Sequence, residues 1–522
     1  MVKLLDIGVP IFSIMLASVI TLISNRLDRK LNLPTWLNMS LGTFQVIAWI
    51  GAGISVLYPF RPLWHGFIIH IFVLLPSLWM GIFVLIAGIL ITRGGIKSCR
   101  RSSWVPVITG VIIILYGLNL VIVGGFFGHS FNNARLRNEF VQNNAIQELV
   151  TLPSMGEGLR MTSVNVAKHW LDALRVGPEY NIRDNNMALM VQDGQLHLAS
   201  PLLPPQRGLY NGGGIASISL TEQYPKAIAH RCDLEVAHGI GTSDGVKWQV
   251  IKNDYNAIYD SPRYYIKNDK VWTLVPKTKI KYAMYICYIV AIPYYDGVVL
   301  IDPDGNQKHY GVDELDQLPN EAQEQMLFPN ALAHRIADSL GYIHGVWNTG
   351  LFGVHRDQVK AGSLPYTFML GEENEPYLLM TLIPMSGQLN KDSMAGLVLF
   401  NNRGKMYIHH FSRDEQVIRY KIAPSYIKAM PQFIDANWED VGISAVTTQP
   451  VFRNDGLWWM TQIMRGNAYD VLLYGFVKAN NPAGENSVLI ANYDQARKFA
   501  LGEEVEGLDV QSLKKVFGLK DD

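Results

Sequence analysis

The chain has 522 residues, 45 of them basic and 45 acidic, and 49% are hydrophobic. The charge is uneven: residues 1–126 hold nine basic residues but only two acidic ones, Asp6 and Asp28, leaving 36 basic and 43 acidic residues beyond. That mildly acidic remainder lacks the basic footprint that nucleic-acid binding needs, so no nucleic-acid partner is expected.

Four apolar runs open the chain, at 4–24, 41–58, 67–92 and 104–127. Each approaches the ~20 helical residues that cross a bilayer core, which predicts a four-helix transmembrane region over 1–128 with membrane lipid as a partner. A signal peptide is not expected at the first run, because its basic n-region is a single Lys3 and three further runs follow. Basic residues cluster in the first loop (Arg26, Arg29, Lys30) and the third (Arg93, Lys97, Arg100, Arg101). Those loops are expected on the cytoplasmic side of a bacterial-type inner membrane, which puts the C-terminal region outside. Arg135 and Arg137, just past the fourth run, pull mildly the other way. Apart from Asp6 at the edge of the first, the runs contain no Asp, Glu, Lys or Arg, and the weak intramembrane polar candidates are Gln45, His70 and Asn119.

A connecting segment, 129–160, carries a predicted amphipathic helix at 133–149, and a second helix is expected at 164–174. Strand patterns dominate beyond it. A phrase of polar turn, aromatic strand and answering apolar strand recurs about four times, at 193–198, 269–276, 375–380 and 455–460. The answering strands fall at 215–220, 297–301, 396–400 and 471–477. Helices are expected at 330–340 and 425–433, ahead of the third and fourth copies. The pattern implies an α+β region with antiparallel sheets covered on one face, as units 1–2 over 161–320 and units 3–4 over 321–500. A charged tail, 501–522, closes the chain with a short helix at 510–517.

The run Asp296-Gly297-Val298-Val299-Leu300-Ile301-Asp302-Pro303-Asp304-Gly305 and the run Ala395-Gly396-Leu397-Val398-Leu399-Phe400-Asn401-Asn402-Arg403-Gly404 resemble the closing strand pair of PepSY-type modules. Joined to the apolar N-terminal block, they resemble a group of large bacterial and mobile-element polytopic membrane proteins with PepSY-like repeat modules. The resemblance implies a non-catalytic role in inhibiting peptidases or regulating envelope partners. Long insertions between the strands depart from the usual short module.

Chemical motifs are sparse. Gly241-Thr242-Ser243-Asp244-Gly245 has the spacing of a nucleophile elbow, but 246–251 reads as a strand where a helix is required, so a hairpin turn is expected. His230, Cys232, Asp233 and His238 supply metal-ligand types without a short paired spacing. His409 and His410 are neighbours on a strand and point to opposite faces. The acidic turn at 302–305 lacks the remaining calcium ligands. No catalytic residue, metal or cofactor is assigned. Cys232 and Cys287 could pair outside the cell or remain free thiols. Trp458 and Trp459 must face opposite sides of a strand, so one is a candidate interface residue. The reading is a non-enzymatic, membrane-anchored scaffold or partner-binding protein with protein partners, self-association included. The alternatives are an envelope hydrolase using His230, Asp233, His238 and Ser243, or a transport or channel subunit.

Overall fold

The computed structural model describes residues 74–509 together with Ala17–Val19, Thr21, His65, Ile69, Ser512, Leu513 and Val516. Within 74–509 the description omits 99–104, 127, 143–145, 175–178, 183–185, 206–210, 241–244, 286–287, 344–357, 363–365, 372–373, 386–392, 413–414, 431–442, 466–469 and 483–485.

Three helices lead the described chain: α1 (Pro76–Ser98), α2 (Val105–Phe126) and α3 (Gly128–Gln142). Strand β1 (Ile146–Glu148) and helix α4 (Val164–Asp172) follow, the latter capped by the Ser163 hydroxyl accepting from Val166 N. Four antiparallel sheets then come in chain order. Sheet 1 is β2 (Ala188–Gln192), β3 (Gln195–Pro201), β4 (Gly212–Ser219) and β5 (Ile228–Leu234). After helix α5 (Val246–Asn253), sheet 2 holds β6 (Ile258–Tyr259), β7 (Arg263–Lys267), the long β8 (Lys270–Tyr285) and β9 (Tyr288–Ile301), and β10 (Gln307–Tyr310). Helix α6 (Asn330–Ser339) leads to sheet 3: β11 (Val359–Ala361), β12 (Tyr366–Leu370), β13 (Glu375–Pro384), β14 (Gly396–Asn401) and β15 (Met406–His410), with β1 added in parallel to β15. Helix α7 (Ala423–Lys428) precedes sheet 4: β16 (Ile443–Arg453), β17 (Gly456–Arg465), β18 (Asp470–Lys478) and β19 (Ser487–Ile490). Helix α8 (Tyr493–Ala500) follows, and Leu513 beyond it joins the same core.

Turn chemistry sets the registers. Asp193-Gly194 and Asn268-Asp269 all adopt positive φ as the two-residue loops of tight hairpins, β2–β3 and β7–β8. The acidic turn after β9 and the Asn-rich turn after β14 share one geometry. Asp302 and Asn401 each accept from a backbone N–H four residues on, and Gly305 and Gly404 take the positive φ.

The sheets form a four-bladed, propeller-like ring. Sheet 1 meets sheet 2 through Met190, Ala199 and Ile215 packed with Tyr264 and Val271. Sheet 2 meets sheet 3 through an aromatic series in which Tyr295 meets Phe328 edge to face and Phe328 stacks on Phe400. Sheet 3 meets sheet 4 where Phe368, Leu379 and Leu399 pack with Trp459, Met460 and Phe476. Closure to sheet 1 is polar: the Tyr493 hydroxyl donates to Thr221 O, and Gln462 accepts from Ser163 N (3.0 Å) while donating to Met161 O (2.8 Å). The buried stretch 158–163 is a strap threaded between sheets, and burial pulls the Arg160 guanidinium down to about 10.

This architecture corrects the sequence reading in four ways. Tandem PepSY-like α+β units are not what the repeated phrase builds. Each copy falls on the middle of one sheet, and the sheets pack on one another around shared cores, to which α4 adds on sheet 1, α5 on sheet 2, α6 on sheet 3 and α7 and α8 on sheet 4. Nor do the described residues show a four-helix transmembrane region: among them, two helices are long and apolar enough to cross a membrane. The expected runs at 4–24 and 41–58 lie outside the described residues, apart from Ala17–Val19 and Thr21, as does most of the expected helix at 510–517. The helix expected at 133–149 occupies Gly128–Gln142 and gives way to β1, because Ile146–Glu148 finds an open edge at Met406–Ile408. Residues 246–251, whose alternation reads as a strand, form α5 instead.

Candidate membrane-contact site

Helices α1 and α2 form an antiparallel hairpin whose side chains face outward along most of its length. Phe83 is 67% exposed, Ile112 60% and Leu115 60%, with Ile86, Ile89, Leu90 and Ile108 similarly bare. A soluble core helix would bury such residues, and an apolar surface this large is otherwise costly in water. The apolar windows Pro76–Arg93 and Val107–Gly124 each contain 18 residues. At 1.5 Å per residue they reach about 27 Å, close to the thickness of a bilayer's hydrocarbon core.

Glycines at heptad spacing hold the two helices together. A Cβ added at Gly81 would lie 2.7 Å from Leu120 Cβ, at Gly88 2.8 Å from Ile114 N, and at Gly117 2.6 Å from Leu85 N. Gly110 and Gly124 meet Thr92 and Leu78 in the same way. The absence of side chains at these five positions lets the backbones touch, the packing device that works where no hydrophobic drive exists between helices.

The hairpin is bonded to the ring through the lower end of β9. The Ser77 hydroxyl donates to Ile289 O and accepts from Ile289 N, both at 2.8 Å. Asn132 on α3 accepts from Ala291 N and donates to Leu74 O, again at 2.8 Å. These two side chains occupy the open edge of β9, satisfying backbone groups that would otherwise be bare. Deeper along α2, the Tyr288 hydroxyl donates to Asn119 Oδ1 at 2.6 Å, and its ring stacks on Phe131 with centroids 5.5 Å apart. Lys281 on β8 pairs with Glu139 on α3, which also faces Arg135 at 4.0 Å.

The root of the β8–β9 arm is the most charged cluster among the described residues. Lys277 Nζ lies 2.7 Å from Asp254 Oδ2 and 3.0 Å from Asp296 Oδ2, and Lys279 lies 3.1 Å from the same Asp296 oxygen. His309 Nε2 stands 3.4 Å from Asp296. Burial alone would raise the Asp254 carboxyl, but the hydrogen bond and charge of Lys277, with Lys279 beside it, bring it below its ordinary value. Lys279 is held above its ordinary value, its desolvation outweighed by Asp296 and Asp254. His309 is lowered, first by burial and then by the Lys277 charge. The register shift between Lys277 and Thr278 and the positive φ of Gly297 sit at this cluster, so the ion pairs pin a bulge at the base of the arm.

The residues singled out from sequence are scattered. Asn119 joins the site just described. His70, Gln45, Cys287 and Ser243 lie outside the described residues. Cys232 is a free, half-buried thiol pushed up by burial. Trp458 and Trp459 face opposite ways but both are buried, bonding to Asp455 and to Ile418 O, so neither presents an aromatic surface. His230 bonds the buried Ser217 hydroxyl at 3.2 Å, and no bond joins it to Asp233 or His238. Burial lowers His238 to about 4. His409 meets Leu149 O. Among the described residues no three His, Cys, Asp or Glu side chains are placed to hold a metal. Sequence reading missed Ser77, Asn132 and Tyr288, whose partners are 58 to 212 residues away. It also missed the glycine heptads at 81/88 and 110/117/124, which were visible as a spacing.

No family model matches this chain, and no curated protein does. A solved structure described as a glycosyl hydrolase from Bacteroides ovatus aligns over 58% of this chain and 86% of its own, at 9% identity and a TM-score of 0.17. A likeness that low carries no argument about fold or activity.

Proposed function

We propose that this protein is a membrane-anchored platform that holds a four-sheet ring against a bilayer surface for binding to protein partners. The single observation that carries the reading is the outward-facing apolar surface of the α1–α2 hairpin, joined to the ring by side-chain bonds rather than by a flexible tether. The basic residues Arg93, Lys97, Arg100 and Arg101 around the hairpin turn favour the cytoplasmic side for that turn, which leaves the ring outside. Arg135 and Arg137, which pull the other way, are offset only in part, since the one carboxylate facing Arg135, Glu139, also pairs with Lys281. A non-catalytic role is supported by how the ring uses its buried polar groups. Gln325 donates to Val191 O and accepts from Val191 N, Gln462 clamps the strap, and Lys277 pins the arm.

The test is fractionation of cells expressing the full chain. Retention in the membrane through alkaline carbonate washing, release by detergent, and digestion of the ring by protease added to intact cells are expected. Recovery in the carbonate supernatant would refute the anchor, and a ring cut only in inverted vesicles would refute the orientation.

A further inference from the structure

We infer that the β8–β9 arm is a second membrane contact, seating Tyr282 and Met284 at the headgroup–acyl boundary of the bilayer that the hairpin spans. This rests on the anchoring reading above.

The argument is one of depth. Tyr288, near the tip of the arm, reaches Asn119, which lies five residues inside the Gly124 end of the apolar window of α2. That is roughly 7–8 Å along the helix, the depth to which interfacial elements bury their apolar faces. The arm therefore descends beside the helices instead of stopping above them. Met284 pairs with Ile289, whose N–H and C=O are both held by Ser77 at the start of α1, so Met284 stands level with the end of the apolar window. Tyr282 pairs with Ala291, two residues further up, about 7 Å above Met284 and within the headgroup layer.

The side chains suit those heights. Met284 is 79% exposed and Tyr282 52% exposed on the face of β8 turned away from α3. The other face of the strand carries Lys281 to Glu139 and Ala283 to the core. An apolar methionine at the acyl boundary with a tyrosine just above it is the order that membrane interfaces favour, since the phenol keeps its hydroxyl among headgroups. Lys279 and Lys281 are already paired with carboxylates, so the contact is with the boundary itself and not with a particular anionic lipid. Two contacts, hairpin and arm, together restrict the tilt of the ring against the bilayer.

The experiment places a single spin label on the full chain in phospholipid nanodiscs, with Cys99, Cys232 and Cys287 replaced by serine. Labels go at Met284→Cys, Tyr282→Cys, Leu115→Cys in the hairpin, and Tyr224→Cys on the ring, whose side chain is 77% exposed. Collision with oxygen, which prefers lipid, is compared with collision with a water-soluble nickel chelate. The expected oxygen-to-nickel ratio is highest at Leu115, several-fold above Tyr224 at Met284, and intermediate at Tyr282. A lipid-like Leu115 with Met284 matching Tyr224 overturns the arm contact while leaving the anchor intact. A water-like Leu115 overturns the anchor. A Met284 label shielded from both reagents marks a protein partner or second copy on the arm and overturns the lipid assignment.

Discussion

Tyr288 and Asn119, 169 residues apart, meet in a 2.6 Å hydrogen bond that fastens the tip of a β-hairpin to the flank of an apolar helix. With the hairpin in a bilayer, neither residue would satisfy its polar group alone at that depth, and the bond would tie the ring to the hairpin where water is scarce. Replacing Tyr288 with Phe keeps the ring stacked on Phe131 but strands the Asn119 amide. The expected loss is about 0.5–1.5 kcal/mol. Asn119→Leu should cost a similar amount, and the double variant less than the sum of the two, as read by thermal unfolding in detergent.

Close helix contact makes the glycines the most sensitive positions of the hairpin. Gly117→Ala puts a methyl group 2.6 Å from Leu85 N, and no flexible side chain is there to yield. The helices must separate, at a cost of about 1–3 kcal/mol. Ile112→Ala, on the outward face, is expected to change stability little. Unfolding in the same detergent distinguishes the two.

Some of this was legible in the sequence and some was not, for identifiable reasons. The apolar runs at 67–92 and 104–127 are compositional signals, and α1 and α2 lie on them. The four strand phrases are local patterns of turn and alternation, and each marks the middle of a sheet. The way the sheets associate depends on contacts such as Phe400 on Phe328 and Tyr493 on Thr221, which no periodicity encodes. Residues 246–251 show the limit plainly: Val246, Val250 and Ile251 also fit a helical stripe, and tertiary packing decided for α5. The same holds for Trp458 and Trp459, where alternation assigns opposite faces but says nothing of the neighbours that bury both.

Two glutamines test the ring. Gln462 satisfies Ser163 N and Met161 O, and Gln325 satisfies both backbone groups of Val191. Gln462→Leu and Gln325→Leu each leave two buried backbone groups without partners, an expected loss of about 2–4 kcal/mol. Hydrogen exchange should report where the loss falls: the Ser163 amide in the first variant and the Val191 amide in the second become unprotected. A global loss of protection without those local changes would deny the clamps their role.

Acid sensitivity follows from His197 as well as from the arm. Burial lowers His197 to about 4, against an ordinary 6.5, so the folded chain holds it neutral. Between those values the unfolded chain binds more protons, and stability falls as pH drops from 6.5 toward 4. Asp254, held below its ordinary 3.8, adds stability that is present above that value and lost as pH falls further. Denaturant titrations should show His197→Gln flattening the upper part of the acid decline and Asp254→Asn the lower part. Identical slopes in the variants and the parent would remove both assignments.

The central claim is that the α1–α2 hairpin lies in a bilayer, and a depth profile of single spin labels along its outward face measures this most directly. The labelled positions are Phe83, Ile86, Leu90 and Ile96 on α1, with Val105, Ile112, Leu115 and Ile122 on α2. The predicted oxygen-to-nickel ratio peaks at Ile86 and Leu115, near the middle of the two apolar windows, and declines toward Ile96 and Val105 at the turn and toward Ile122 at the ring. A flat, water-like profile across all eight positions would contradict the account.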